Sequence, residues 1–116
     1  MEHIRIFDFA GREITRFTQW DKNVSIIIRG IETQDNPVVL FYSAGTQASY
    51  KVDATVSENC VSCAVPSVVL QHANPVTVTV GYSRQGGKEL VSAYYTTVQV
   101  LRRENPLTTL MRAYSD

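Results

Sequence analysis

Apolar and polar residues alternate with a period of two along most of the chain. In the stretch HIRIFD, Ile4 and Ile6 fall on one face. In NVSIIIRG the apolar face carries Val24, Ile26 and Ile28, and SYKVDATV and PVTVTVGY alternate in the same way. Because successive side chains of a strand point to opposite faces, this period predicts half-buried strands. The core is expected to contain Ile26, Ile28, Leu40, Val52, Val78 and Val80.

Turn-forming residues separate these segments at short intervals. Asn36-Pro37, Asn74-Pro75 and Gly86-Gly87 all lie between alternating stretches, and the glycine pair predicts a hairpin. The doublets in residues 94–97 interrupt the alternation and predict a β-bulge, while residues 67–71 suit one helical turn. About seven short strands with regular turns predict an all-β fold, an immunoglobulin-like antiparallel β-sandwich.

One strand departs from the half-buried pattern. PVVLFYS is apolar on both faces, with Val38, Leu40 and Tyr42 on one side and Val39 and Phe41 on the other. A central strand that is covered on both sides has this composition. The alternative is that Val39 and Phe41 lie at a subunit contact, and the strand alone does not distinguish the two.

Residues 102–116, the arm, follow a helical pattern instead of continuing the sandwich of residues 1–101. Asn105 suits a helix N-cap, and Pro106 suits the first helical position. One apolar stripe follows at helical spacing. It consists of Leu107, Leu110, Met111 and Tyr114. Because so short a helix is marginal in water on its own, it is expected to dock either on its own sheet or on a neighbouring protein.

Composition and charge exclude several classes of partner. The 116 residues suit one domain, and the 11 basic and 11 acidic residues give no net charge, so nucleic acid is not an expected partner. No apolar run approaches the ~20 residues that span a bilayer. The beginning, MEHIRIFDFAGRE, carries charges where a signal peptide has its apolar core, which predicts synthesis in the cytoplasm and no membrane partner.

The middle of the chain carries few charges. From residue 31 to residue 101 they are Glu32, Asp35, Lys51, Asp53, Glu58, Arg84, Lys88 and Glu89. A surface of this kind is either built from small polar residues or partly covered by another molecule.

The candidate chemistry is sparse. Cys60 and Cys63 form a lone C-x-x-C, and His3 and His72 are isolated from it, so a metal site lacks ligands. In a strand the two cysteines point to opposite faces about 10 Å apart, which predicts free thiols. The sequence contains no nucleophile elbow, Walker loop or dinucleotide fingerprint. A non-enzymatic protein without catalytic residues, metal or cofactor is therefore expected.

Three aromatic residues allow two interpretations. Trp20, Tyr94 and Tyr95 could form a platform on which a sugar ring stacks. Aromatic residues of a sandwich more commonly fill the space between the sheets or cover its ends. Asp21 and Asn23 after the tryptophan suit local turn bonds to the backbone.

The order of ITRFTQWDKNVSIIIRGIE, PVVLFYS and VPSVVLQHANPVTVTVGY resembles a family of small immunoglobulin-like domains encoded in tailed phages and prophages of Firmicutes. The likeness covers residues 4 to about 101. The residues of this chain that match the pattern of the family are Thr18, Trp20, Asp21, Gly30, Phe41, Pro66, Leu70, Gln71 and Pro75. The helix-patterned arm and the two cysteines depart from the family, whose members often end in a proline-rich tail.

The resemblance implies a virion component made in the bacterial host cytoplasm, most simply a capsid decoration or head-fibre anchoring protein. The alternatives are a neck, tail or baseplate accessory protein and a carbohydrate-binding module for adsorption to the host. Other virion proteins are the expected partners, and the chain is expected to be homo-oligomeric or present in many copies. The residues expected to bind partners are Val39, Phe41, Leu107, Leu110, Met111 and Tyr114.

Overall fold

The computed structural model describes residues 2–31, 37–84 and 89–115, which form two packed β-sheets and one C-terminal helix. The strands are β1 (Glu2–His3), β2 (Arg5–Phe7), β3 (Arg16–Thr18), β4 (Ser25–Arg29), β5 (Pro37–Ser43), β6 (Ala48–Asp53), β7 (Thr55–Ser57), β8 (Cys60–Ala64), β9 (Val76–Arg84) and β10 (Glu89–Leu101). A 3-10 turn covers Ser67–Leu70, and helix α1 covers Pro106–Ser115.

The two sheets are predominantly antiparallel. The first has the strand order β1-β10-β9-β5-β6, and β3 pairs with the end of β10. The second has the order β2-β4-β8-β7. Only β1 and β3 run parallel to their neighbour β10 among the described pairs. The predicted all-β sandwich is therefore confirmed, with more strands than expected because the first extended segment and the segment at residues 48–57 are each divided between the two sheets.

The core lies between the sheets and follows the predicted alternation in most strands. Ile26, Ile28 and Val78 are fully buried, and Val80 is 3% exposed, as predicted. Val52 is half-buried and packs against the core from the edge strand β6. Leu40 does not belong to the core, because it points to the outer side of β5 and is half-buried there.

The long hairpin of β9 and β10 is confirmed, and its turn at residues 85–88 lies outside the described residues. The predicted bulge is present, but the pairing shifts between Ser92 and Tyr94, just before the tyrosine doublet. Gly81 is paired with Ser92, and a Cβ at Gly81 would collide with the carbonyl oxygen of Val91. The irregular backbone therefore requires glycine at this position.

Both cysteines are free thiols, as their spacing predicted. In β8 the inward positions are Val61 and Cys63, which are 0% and 8% exposed, whereas Cys60 is half-buried on the opposite face. Burial raises the pKa of the Cys63 thiol to about 12, because the thiolate would lose its hydration in the core.

Candidate functional site

The arm leaves the sandwich where β10 ends at Leu101. At this point β3 runs parallel to β10, and Thr18 is paired with Leu101. The backbone N–H of Gln19 donates to the carbonyl oxygen of Leu101 at 2.8 Å, which extends the pairing by one residue. The last residues of the sandwich are therefore held by the segment that contains the tryptophan.

Residues 18–21 form a tight turn beside this point. The N–H of Asp21 donates to the carbonyl of Thr18 at 3.3 Å, and the N–H of Trp20 donates to the carbonyl of Leu70 at 2.7 Å. Trp20 has a φ of 72°, a left-handed conformation that costs an ordinary residue roughly 1–2 kcal/mol. Since the tryptophan is half-buried, its packing and its hydrogen bond to Leu70 maintain this conformation.

The same turn fixes the first residues of the arm. The backbone N–H of Arg103 donates to Oε1 of Gln19 at 3.1 Å, and the Arg103 guanidinium lies 3.1 Å from Oδ1 of Asp21. Nε2 of Gln19 donates to the carbonyl of Gln71 at 2.8 Å. We call Gln19, Asp21, Gln71 and Arg103 the arm root. Gln19 and Arg103 are not recognisable as partners in the sequence, because 84 residues separate them and neither lies in a distinctive motif.

Helix α1 begins as the sequence predicted. Oδ1 of Asn105 accepts a hydrogen bond from the N–H of Leu107 at 3.0 Å, and the Asn105 carbonyl accepts one from Thr109 at 3.2 Å. Pro106 occupies the first helical position. An ion pair of 2.7 Å joins Arg112 to Glu104, but both side chains are exposed, so the pair contributes little stability.

The apolar stripe of α1 is exposed to solvent. Leu107, Leu110 and Met111 are 62%, 53% and 65% exposed, so the helix does not bury them on its own sandwich. Tyr114 lies within α1, but its side chain falls outside the part that the structure describes. These three residues therefore do not dock on the chain's own sheet, which was one of the two docking surfaces expected from the sequence. Docking on a neighbouring protein stays a prediction.

A cleft of about 540 Å³ lies beside the arm root. It is lined by Gln19, Gln71, His72, Ala73, Asn74, Arg102, Arg103 and Glu104. His72 is exposed and lies so close to Gly45 that a side chain at position 45 would collide with it. The cleft offers donors and acceptors rather than an apolar lining, so it suits the polar border of a protein contact.

The predicted contact role of Val39 and Phe41 is wrong. Both side chains are 0% exposed and belong to the core. The outer side of β5 carries Leu40, which is half-buried, and Tyr42, which is 41% exposed. The strand is indeed central, between β9 and β6, but its two faces have the opposite roles to those expected.

The three aromatic residues do not form one platform. Tyr95 is paired with His3 and makes an edge-to-face contact with its ring at 5.6 Å, while Tyr94 packs against the core. Trp20 lies next to the end of β10 at Leu101, six residues or about 20 Å farther along this strand. The sugar-stacking interpretation of these three residues is therefore wrong.

Among the described residues, no group of three or more histidine, cysteine, aspartate or glutamate side chains is arranged to hold a metal ion. In the same part of the chain, no helix has the length and apolar character needed to cross a membrane. No family model matches the chain, and a comparison with curated proteins finds none that matches.

Replacing Asn105 by alanine is expected to reduce the helicity of the arm. The side-chain cap is lost, which costs about 0.5–2 kcal/mol, and the exposed apolar side chains Leu107, Leu110 and Met111 add little packing to compensate. Amide hydrogen exchange across residues 107–112 should become faster in this variant, while the Tm of the sandwich stays unchanged. Thr109→Ala is the control, because it keeps the cap and removes only an exposed side chain. Equal exchange in Asn105→Ala and wild type would contradict the capping role.

Proposed function

We propose that this chain is a non-enzymatic structural protein of a bacteriophage particle, a capsid decoration or head-fibre anchoring protein that attaches to other virion proteins through its arm. The observation that carries the proposal is the exposed apolar stripe of α1, which follows closely after the arm root in the chain. An apolar stripe of this kind is expected to become buried against a partner.

The strand order supports the immunoglobulin-like part of the proposal. If β2, β4, β5, β6, β7, β8, β9 and β10 are lettered A, B, C, C′, D, E, F and G, the second sheet has the order A-B-E-D. The first sheet then has the order G-F-C-C′, with the short strands β1 and β3 added beside strand G. These are the orders of the immunoglobulin sandwich. The resemblance of the motif around Trp20 and Asp21 to phage immunoglobulin-like domains adds the virion context.

The first test is the protein composition of purified particles. Particles released from a bacterium that encodes the chain should contain it in stoichiometric amount when measured by quantitative mass spectrometry. Many copies per particle agree with capsid decoration, whereas a few copies would instead favour the neck, tail or baseplate. Absence of the chain from particles after density-gradient purification would refute a structural role in the virion.

The second test concerns the arm itself. The double variant Leu110→Asp and Met111→Asp should lose at least a hundredfold in affinity for particles that lack the chain, because burying two large apolar side chains is worth roughly 3–6 kcal/mol. The double variant Thr108→Asp with Thr109→Asp is the matched control, since it places the same two charges on α1 away from the apolar stripe. Co-sedimentation with the particles measures the affinity of the double variant and of the control. Wild-type affinity of the double variant would exclude the arm as the attachment element.

A specific observation favours adsorption to a host glycan as the second candidate. Tyr42 is 41% exposed on the outer side of β5, and the strand pairing places it beside Thr77 and Ser49. The hydroxyl oxygens of Thr77 and Thr97 lie 3.1 Å apart on the same face. An aromatic ring beside hydroxyl groups suits a sugar. Binding of wild type but not Tyr42→Ala to host cell-wall polysaccharide would support this candidate over attachment alone.

A further inference from the structure

In the described part of the chain, one edge of the sandwich is formed by consecutive strands of both sheets. β6 and β7 follow each other with only Ala54 between them, and each is the last strand of its sheet. Among the described strands, β6 pairs only with β5, and β7 pairs only with β8. Residues 48–57, the edge strip, therefore present unpaired backbone groups along one side of the molecule.

The two faces of β6 within the edge strip differ in polarity, and the outward face carries the charged side chains. Tyr50 and Val52 pack against the core, while Ser49, Lys51 and Asp53 point outward and are exposed. Neither the Lys51 side chain nor the Asp53 side chain makes an ion pair or hydrogen bond with another residue of the described chain. Edge strands are commonly protected by proline, a bulge or charged side chains, especially lysine. This strip has no proline, and its one lysine is accompanied by an aspartate of opposite charge, which a second copy can neutralise.

We propose that the edge strip pairs antiparallel with the edge strip of a second copy of this chain, with Val52 facing Val52. In this register Lys51 of each copy lies directly opposite Asp53 of the other, so the dimer gains two cross-strand pairs of opposite charge. The two copies are related by a two-fold axis through the paired valines, which makes the contact self-complementary and closed.

Charge complementarity selects this register over its neighbours. A two-fold centred on Lys51 places lysine opposite lysine, and one centred on Asp53 places aspartate opposite aspartate, which is unfavourable. A two-fold centred on Tyr50 makes no charge pair. Registers centred between residues place an inward-facing side chain opposite an outward-facing one, which breaks the continuity of the apolar face.

A cleft lies beside the edge strip. A second copy that pairs with the strip would therefore bury side chains of this cleft in addition to the backbone of β6. The cleft has a volume of about 450 Å³ and is lined by Pro37, Val38, Lys51, Val52, Asp53, Ala54 and Val56. Val56 is 43% exposed at its border. The contact involves no residue of the arm, so this inference is independent of the proposed function.

The experiment is sedimentation equilibrium of the full chain at low salt. Wild type should form dimers that weaken as salt is added, because the charge pairs lie at the surface. Lys51→Asp and Asp53→Lys each place like charges opposite each other, and each should raise the dimer Kd by about tenfold or more. An equimolar mixture of the two variants restores both opposite-charge pairs and should associate as tightly as wild type.

Two controls separate the outcomes. Glu58→Lys makes the same charge change as Asp53→Lys at an exposed turn outside the strip, and it should leave the dimer intact. The arm variant Leu110→Asp with Met111→Asp should also dimerise normally, which keeps this result distinct from particle attachment. A monomeric wild type at about 200 μM, or single variants that associate like wild type, would overturn the inference. A mixture that fails to recover would refute the register centred on Val52.

Discussion

Replacing Phe41 by alanine is expected to lower the free energy of unfolding by about 3–5 kcal/mol. The phenylalanine is 0% exposed at the middle of β5, where its neighbours in the pairing are Val78 and Tyr50. The substitution leaves a cavity that the surrounding sheet fills only in part. Because a domain of this size is stable by about 5–15 kcal/mol, the variant should show a large loss in urea midpoint at an unchanged m-value.

Tyr42→Ala is the matched control for this prediction. Tyr42 is the next residue of the same strand, points to the opposite face and is 41% exposed, so truncating it removes far less buried surface. Its cost in the same urea titration should be well below half of that of Phe41→Ala. If Tyr42→Ala proved the more destabilising of the two, the assignment of the faces of β5 would be reversed.

The faces of β5 also explain where sequence reasoning failed. Alternation assigns a face only when one side is polar, and PVVLFYS is apolar on both sides. The expectation placed Leu40 in the core and Phe41 at a contact, whereas the fold places them the other way round. A shift by one residue moves every side chain to the other face, so a single error produced both wrong assignments.

Local signals predicted most of the strands, the turn at Ser67–Leu70 and the start of α1, but not the short strand β3 or the division of two extended segments between the sheets. The buried Val78 and Val80 alternate with the polar Thr77 and Thr79, and Asn105 acts through a hydrogen bond to a residue two positions away. The arm root could not be predicted in this way. Gln19 and Arg103 are joined only when β3 pairs with the end of β10, and such pairings between distant segments leave no periodic signal.

Recognising the edge strip as a contact surface required both the residue types and the order of the strands. The opposite charges of Lys51 and Asp53 are visible in the sequence, but their significance depends on β6 being the last strand of its sheet. The same two residues in a central strand would face the solvent beside neighbouring strands of the same chain. Strand order, and not residue type, therefore makes this segment available to a second copy.

The buried thiol of Cys63 should resist alkylation in the native protein. Burial raises the pKa of this thiol to about 12, so at pH ~8 the reactive thiolate fraction is about a thousandfold smaller than that of a thiol with a pKa of 9.0. Iodoacetamide followed by mass spectrometry should therefore modify Cys60, which is half-buried on the outer face, long before Cys63. In urea both should react at similar rates. Rapid native labelling of Cys63 would contradict its burial.

The same thiol should make the fold sensitive to alkaline pH. The folded-state pKa of about 12 lies above the unfolded value of 9.0, so the full stability is present below pH 9 and is lost as the pH rises towards 12. At pH ~10.5 the loss should be roughly 2 kcal/mol, since each pKa unit corresponds to about 1.4 kcal/mol. Cys63→Ala lacks this titration but retains the tyrosines and lysines, so the stability difference between wild type and the variant isolates the thiol. That difference should shrink steadily between pH 9 and 11 in urea titrations, and a constant difference would show that Cys63 ionises as easily in the folded chain as in the unfolded one.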